Sequence, residues 1–244
     1  MRYQDDLAPL ADAAAFIFTG SIARAGVATM PTVPVNATVV VSVDDVVKAP
    51  PGFGSFAGRE VTVQLVEPLA AGRYLFFADP LAVGGGLAVR ERAHLDAVDA
   101  MATAFAADAV ERGYAARIGP RMQAAALVVL GKIGEVKPIR VVDERDEGVP
   151  WAMAPLSIDH VFRGKPAHSA VTLVGPGRAS RLLPRTPALR SGLQAILVLT
   201  TPPAAAIEVL PEGERQRALF IADTADIQPP ARRRTIEHIA AGLK

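Results

Sequence analysis

Short runs of Val, Ile, Leu and Phe, bounded by Gly, Pro or Asp, recur along two stretches of the chain. Polar positions alternate with apolar ones, as at Ser42 and Asp44, which is typical of strands with one face in water. Roughly five strands in each stretch favour a small closed barrel, because closure removes exposed strand edges. The predicted strands are 15–23, 38–47, 60–66, 73–78 and 86–90, then 126–134, 152–162, 170–174, 193–200 and 218–222.

A helical pattern follows each set of strands. Apolar side chains recur at helical spacing through 95–112, up to Gly113, and again through 231–243 after Pro229-Pro230. The fold class we predict is mainly β, with two tandem OB-like β-barrels, each followed by a helix. The predicted domains are a first barrel at 1–94, a helical connector at 95–118, a second barrel at 119–228 and a C-terminal helix at 229–244.

The two stretches also resemble each other. Segment 9–22 aligns without gaps on 120–133, and the pairs Pro9–Pro120 and Gly20–Gly131 are both 111 positions apart. Further matching segments are 43–48 with 158–163, 61–63 with 171–173, 69–77 with 189–198, and 87–89 with 219–221. The spacing varies between 110 and 132 positions from one segment to the next, as insertions and deletions in loops would produce. We therefore predict an internal duplication.

The order of these segments resembles a known family. Each copy has a strand ending in Gly-x-Ile (Gly20-Ser-Ile22, Gly131-Lys-Ile133) and a second strand closing on Val-x-x-Val-x-Lys or its like; Asp159–Lys165 matches that element best. This order is similar to the OB-like barrels of netrin-type and metalloproteinase-inhibitor-type modules. Those modules carry cysteines, including the N-terminal one on which inhibition depends, and this chain has none. The resemblance therefore implies a fold and no inhibitory activity.

Composition excludes several classes of protein. Half of the residues are hydrophobic, which excludes a disordered chain. The 26 basic residues nearly balance 25 acidic ones, so a nucleic-acid partner is disfavoured. The absence of cysteine excludes disulfides and thiolate metal sites and fits a reducing compartment. No stretch has the pattern of a signal peptide or membrane helix, so we expect a cytoplasmic protein with no membrane partner.

No motif for catalysis stands out. The four histidines lack the spacing of a helical metal pair. His94, Asp96 and Asp99 can gather near a helix start as potential metal ligands, and Ala167-His168-Ser169 places a serine beside a histidine without any triad spacing. The glycine runs at 52–58 and 84–86 lead into strands, whereas a dinucleotide site needs a helix there. We predict no catalytic residue, no cofactor and no metal.

Two loops offer candidate partner contacts. The loop 49–59 carries Phe53 and Phe56, which we expect to be exposed at its tip. The loop 175–190 is rich in arginine and proline, and its basic side chains can contact an anionic ligand or partner. The candidate contact residues are Phe53, Phe56, Arg178, Arg181, Arg185 and Arg190.

Three functions stay open on this evidence. The favoured one is a non-enzymatic adaptor or scaffold that binds another protein or a second copy of itself. An alternative is single-stranded nucleic-acid binding through the OB-like faces. The other is an enzyme with a site between the domains that uses Asp44, Asp45, Asp159 and His160.

Overall fold

The structure is a computed structural model that describes residues 3–30, 33, 35, 37–50, 53, 56–84, 86–96, 100–140, 148–166 and 170–243, with the backbone only at 3–6 and 100. The chain is mainly β and contains two sheets. Its contacts divide it into two compact units, Met1–Tyr114 and Ala115–Lys244. Among the helices in the described residues, none is long and apolar enough to cross a membrane.

The sheet of the first unit closes on itself. β1 pairs with β2 and β4, β2 with β3, and β5 with both β3 and β4, so the strands run in the cyclic order β1-β2-β3-β5-β4. Only the β3–β5 pair is parallel within this described sheet. The elements are α1 Tyr3–Ala13, β1 Phe16–Ala25, β2 Thr38–Lys48, β3 Glu60–Gln64, β4 Arg73–Val83, β5 Leu87–Asp96 and α2 Ala100–Ala124.

Alternating side chains of these strands fill the closed sheet. Phe16, Phe18 and Phe76 point inward with a set of valines to form its core. The neighbouring residues Ile17 and Leu75 point outward and pack under α1 and the first half of α2. The helices therefore cover an outer face, which explains why both faces of β1 and β4 are apolar.

The strands of the second unit pair in the same order as those of the first, except that β10 and β11 hardly pair with each other. β6 pairs with β8 and β10, β8 with β9, and β9 runs parallel to β11. Among the described residues, β11 pairs with the chain directly after β10 through the single bridge Thr200–Phe220. The elements are β6 Leu127–Ile133, β7 Lys137–Pro138, β8 Trp151–Gly164, β9 Val171–Pro176, β10 Gln194–Leu199, α3 Ala204–Val209, α4 Glu212–Arg215, β11 Ala218–Phe220, β12 Ile227–Gln228 and α5 Arg233–Gly242.

The helices differ from the prediction in where they begin and in their number. β5 continues to Asp96, so the helix predicted from residue 95 begins later, at Ala100. A helix also precedes each sheet: α1 leads into β1, and the last part of α2 leads into β6. Leu7 of α1 and Ile118 of α2 are both 3% exposed. The stretches before both sheets are rich in alanine and contain proline, which hid their amphipathic pattern.

The first two strands pair in the same register in both units. Gly20 lies opposite Val43, and Gly131 lies opposite Ile158. A Cβ at Gly20 would stand 2.6 Å from the carbonyl oxygen of Ser42, and one at Gly131 would stand 2.5 Å from that of Ser157. Both positions therefore require glycine because the partner backbone approaches too closely for any side chain.

The parallel strands correct one part of the predicted alignment. Thr62 of β3 lies opposite Ala88, and Thr172 of β9 lies opposite Ala218. Segment 87–89 therefore corresponds to 217–219, two residues earlier than the predicted 219–221. A shift of two residues keeps every side chain on the same face, so alternation alone could not detect it.

The cation that ends the second strand has a structural role. Lys48 Nζ donates to the carbonyl oxygens of Ala11 and Asp12, 2.7 and 3.1 Å away, at the end of α1. Arg163 Nη2 donates to the carbonyl oxygen of Gln123 at the end of α2, 3.5 Å away. Burial lowers the pKa of Lys48, and nearby Asp79 opposes that effect. The Val-x-x-Val-x-Lys element therefore caps the preceding helix.

Candidate functional site

The expectation that the loop 49–59 exposes two phenylalanines is wrong for Phe56. Phe56 is 5% exposed, and its ring packs edge-on against Phe16 and Phe18, with centroids 5.8 and 5.6 Å away. Phe53 is half-buried against Phe16 at 5.1 Å. Both rings complete the core of the first sheet, because β3 is short and leaves space beside Phe16.

The arginine loop 177–193 lies on the surface of the second unit. Two of its residues anchor it to the rest of that unit. Leu189 is 6% exposed and joins the core, and its N–H donates to the carbonyl oxygen of Pro176 at 2.9 Å. Thr186 Oγ1 donates to the carbonyl oxygen of Ala222 at 3.1 Å. Leu182 stays 59% exposed. The four predicted contact residues are exposed: Arg178, Arg181, Arg185 and Arg190.

The residues of the proposed enzyme site have ordinary partners in their own units. Asp44 accepts from Arg73 Nε at 2.7 Å, and Asp45 accepts from the Val46 N–H at 2.8 Å. In the second unit Asp159 accepts from Gln194, and the His160 ring stacks edge-on against Phe162. These contacts stabilise exposed strands. The Asp99 and His168-Ser169 hypotheses lie outside the described residues.

A buried carboxylate contacts His94 at the end of β5. Glu91 is 4% exposed, and its Oε2 accepts from the Val66 N–H at 2.9 Å. Its Oε1 pairs with Nδ1 of His94. Because an ionised carboxylate only accepts, Nδ1 carries the proton and Nε2 is the ring nitrogen left for another partner. Tyr74 meets the imidazole edge-on, with centroids 5.5 Å apart, which further orients it.

His94 also lines a cavity of about 400 Å³ in the first unit. The cavity lies where α1, the end of β5 and the start of α2 meet. Among the described residues, Asp96 is the other polar residue that lines it. The apolar lining residues are Leu7, Leu95, Met101, Ala102 and Phe105. An apolar cavity of this volume with a few polar groups has the character of a small-molecule site.

No protein-family model matches the chain. A comparison with curated proteins likewise found no similar sequence. The case for a function therefore depends on the geometry of the described residues.

The outer faces of the parallel strands are covered by the chain itself. Thr62 of β3 is fully buried, and its hydroxyl accepts from the Thr29 N–H at 2.8 Å. Thr172, at the matching position of β9, donates to Glu214 of α4 at 2.6 Å. The loop between β1 and β2 supplies the cover in the first unit, and the helices between β10 and β11 supply it in the second. In both units another part of the chain therefore contacts the threonine at this position.

The cover of the second unit contains an ion pair. Arg217 donates through Nε to Glu214 Oε2 at 2.8 Å and through Nη2 to Oε1. The Arg217 hydrogen bond, followed by that from Thr172, lowers the pKa of Glu214. A cavity of about 240 Å³ lies beside the pair. Arg217 and Glu214 already form hydrogen bonds with each other. This groove is therefore a weaker candidate for a ligand site than the cavity of the first unit.

No group of three or more His, Cys, Asp or Glu side chains that could hold a metal ion occurs in the described ranges. Asp226, which is 2% exposed, accepts from Arg121 Nε at 2.7 Å and from the Asp223 N–H at 2.9 Å. Asp223 accepts in turn from the Ala225 N–H, the main cause of its lowered pKa. This cluster caps a turn and anchors α2.

The pair of Glu91 and His94 was missed at the sequence level, although a signal existed. The alternation of Leu87, Val89 and Glu91 places the carboxylate on the inward face of β5. A charged residue at an inward position of a strand indicates a specific partner, since burying a charge alone is costly. The predicted strand ended at residue 90, one position too early to reveal it.

Proposed function

We propose that this protein is a non-enzymatic adaptor built from two duplicated OB-like barrels, and that its arginine loop binds an acidic protein surface. The strand pairing supports the OB-like part. β1-β2-β3-β5-β4 and β6-β8-β9-β11-β10 have the same order, and the parallel pair falls at the same place. The cysteine-free sequence supports a location in the cytoplasm.

Equivalent contacts support a common origin of the two units. The close approach at Gly20 recurs at Gly131, and the helix cap of Lys48 recurs at Arg163. The capped residues Asp12 and Gln123 are separated by the same 111 positions as the two glycines. Shared detail of this kind is unexpected for two unrelated β-domains.

The arginine loop carries the functional part of the proposal. Its residues 177–193 include four arginines and no acidic residue. The buried anchors Thr186 and Leu189 fix the backbone, so little conformational freedom remains to be lost on binding. Arginine, together with an exposed apolar residue such as Leu182, is typical of protein interfaces.

The observations favour a protein over single-stranded nucleic acid as the partner. OB-folds bind oligonucleotides on the outer face of their second and third strands, flanked by loops. Here Thr29 covers Thr62, and Glu214 covers Thr172. The arginine loop 177–193 also contains no aromatic side chain on which a base could stack.

The test is charge reversal on the full chain. We would crosslink and co-purify tagged protein from its native cells, comparing wild type, R181E/R190E and the matched control R59E/R234E, which reverses two exposed arginines elsewhere. A partner protein should be recovered equally with wild type and with the control. With R181E/R190E its recovery should fall roughly tenfold or more, since like charges at an interface cost several kcal/mol.

Recovery of that protein should also decrease as salt is raised. Equal recovery with all three chains would contradict the proposal. So would the absence of any specific protein, or recovery of a nuclease-sensitive partner, which would favour nucleic-acid binding instead.

A further inference from the structure

The two units carry opposite net charges. The first unit, residues 1–114, contains 8 lysines and arginines against 13 aspartates and glutamates, which gives a formal net charge of −5. The second unit, residues 115–244, contains 18 basic against 12 acidic residues, which gives +6. The near-neutral total of +1 conceals this difference. Surfaces of opposite charge attract each other and raise the rate at which two molecules meet.

The helix before each sheet shows the change of sign clearly. α1, Tyr3–Ala13, contains three aspartates and no basic residue. The stretch 114–124, which lies 111 positions later at the end of α2, contains two arginines and no acidic residue. At this spacing Asp6 aligns with Arg117. Because both stretches are helical, the fold does not dictate the sign of the charge at this place.

The connection between the third and fourth strands differs in the same direction. Between β3 and β4 it comprises residues 65–72, which include the acidic Glu67 and no basic residue. Between β9 and β10 it is the arginine loop 177–193, which has four arginines and no acidic residue. The longer loop therefore adds positive charge to the unit that is already positive.

The helices of the first unit present negative charge at its surface. α1 and the first half of α2 cover the outer face of the first sheet, with Ala11 and Ala109 buried beneath them. Next to these alanines in the sequence, Asp12 and Asp108 are exposed, and they define an acidic helical surface. Asp108 pairs with Arg112 at 3.2 Å. Such an exposed pair contributes little stability, so its aspartate can contact another arginine at low cost.

We propose that the arginine loop of one copy binds the acidic helical surface of a second copy of this chain. This inference rests on the proposed function of the arginine loop and names its partner. Leu182 in the loop is 59% exposed, and Met101 on α2 is 57% exposed, so each surface also offers an apolar side chain. Since the two surfaces differ, each copy both provides a loop and accepts one, and association closes into a ring or continues as a longer assembly.

The first experiment measures mass in solution. Light scattering of the purified full chain at about 50 mM salt should give at least twice the 25.6 kDa of one chain. The mass should fall as salt is raised to about 500 mM, because salt screens exposed charges. R181E/R190E should raise the dissociation constant roughly tenfold or more, since it places like charges against the acidic helical surface.

A second experiment tests the specific pairing of the two surfaces. D12K/D108K should weaken association as R181E/R190E does. An equimolar mixture of the two variants should associate again, although each alone does not. The negative loop of one variant then meets the positive helices of the other, and the unchanged loop meets the unchanged helices. Circular dichroism would confirm that each variant is folded.

The matched control is D45K/E67K. It changes the charge of the first unit by the same amount as D12K/D108K, at exposed positions on a strand and in a loop. It should associate like wild type. Equal weakening by D45K/E67K and D12K/D108K would contradict the inference, because net charge alone would then account for the association.

Two further results would overturn the inference: a folded wild type that is monomeric at low salt, and a mixture of the two variants that stays monomeric. The proposed function is tested separately. If the purified chain is monomeric while crosslinking in cells recovers a different protein that R181E/R190E loses, the adaptor proposal stands and only the second copy is excluded as the partner.

Discussion

The two units have the same order of strands and differ in the residues of their last strand. In the first unit β5 is continuous, pairs along its length with β4, and carries Glu91 and His94. In the second unit the corresponding chain is divided into β11 and β12, and apolar Ile221 and Ile227 occupy those positions. The difference indicates that the fold does not require a charged pair at these positions.

The units also differ in how they cover the parallel strands. A hydroxyl of the β1–β2 loop contacts Thr62, whereas a carboxylate of α4 contacts Thr172. The insertion that forms α3 and α4 lies between β10 and β11. As a result, these two strands hardly pair with each other, and the inserted helices cover β9 instead. The four predictions that follow test which features are common to the units and which are not.

The largest effect should come from the shared glycines. Gly20→Ala and Gly131→Ala should each destabilise their own unit by about 3 kcal/mol, because the added Cβ collides with a backbone carbonyl. Trp151, the single tryptophan, reports unfolding of the second unit by fluorescence. Hydrogen exchange at Val40 and Val41 reports the first.

Gly213→Ala is the control for the glycine pair, because a Cβ there meets no atom within 4 Å. It should leave both readouts unchanged. If Gly131→Ala were as mild as Gly213→Ala, the common register of the two units would be wrong.

The next effect concerns the polar pair. E91I removes the acceptor of the Val66 N–H and should destabilise the first unit by roughly 1–2 kcal/mol. V66P removes the same hydrogen bond from the donor side. The double variant E91I/V66P reproduces the second unit's residues Ile221 and Pro176, so its cost should fall about 1 kcal/mol below the sum. Strict additivity in denaturant unfolding would contradict the correspondence.

Thr19 provides a smaller, stabilising test. Its hydroxyl is buried and has no hydrogen-bond partner among the described residues, and the matching residue of the second unit is Leu130. T19V should therefore raise the free energy of unfolding of the first unit by about 1 kcal/mol. A loss of stability measured by hydrogen exchange would show that the hydroxyl has a partner.

The smallest effect is a dependence on pH confined to the second unit. Arg217 and Thr172 lower the pKa of Glu214, so its contribution to stability is full above the ordinary glutamate value, about 4.3, and is lost as the pH falls through the depressed pKa. E214Q lacks this contribution. The difference between wild type and E214Q in urea unfolding, followed by Trp151 fluorescence, should shrink with acid; a constant difference would contradict this role.

Strand positions followed from the sequence because alternation is strong where one face is buried. The predicted strands 38–47 and 73–78 lie within or at the start of β2 and β4. The extension of β4 to Val83 was missed because Asp79 and Pro80 interrupt the apolar run. The parallel partner of β3 was misaligned by two residues, since alternation does not distinguish such a shift.

The candidate sites were harder to foresee, because exposure depends on tertiary packing. A glycine-rich loop with two phenylalanines resembles an exposed tip, yet Phe56 completes a core that β3 is too short to fill. The arginine loop was recognisable as a surface segment by composition alone. The contact between Glu91 and His94 depends on the β-bulge between Phe77 and Ala78, which shifts the register of β5 and has no sequence signature.

An experimental crystal structure of the full chain tests the equivalence of the two units most directly. Superposition of the two sheets should place Gly20 on Gly131 and Thr62 on Thr172, with Glu91 and His94 over Ile221 and Ile227. A best superposition that offsets these pairs by one residue, or two sheets with different strand orders, would contradict the account.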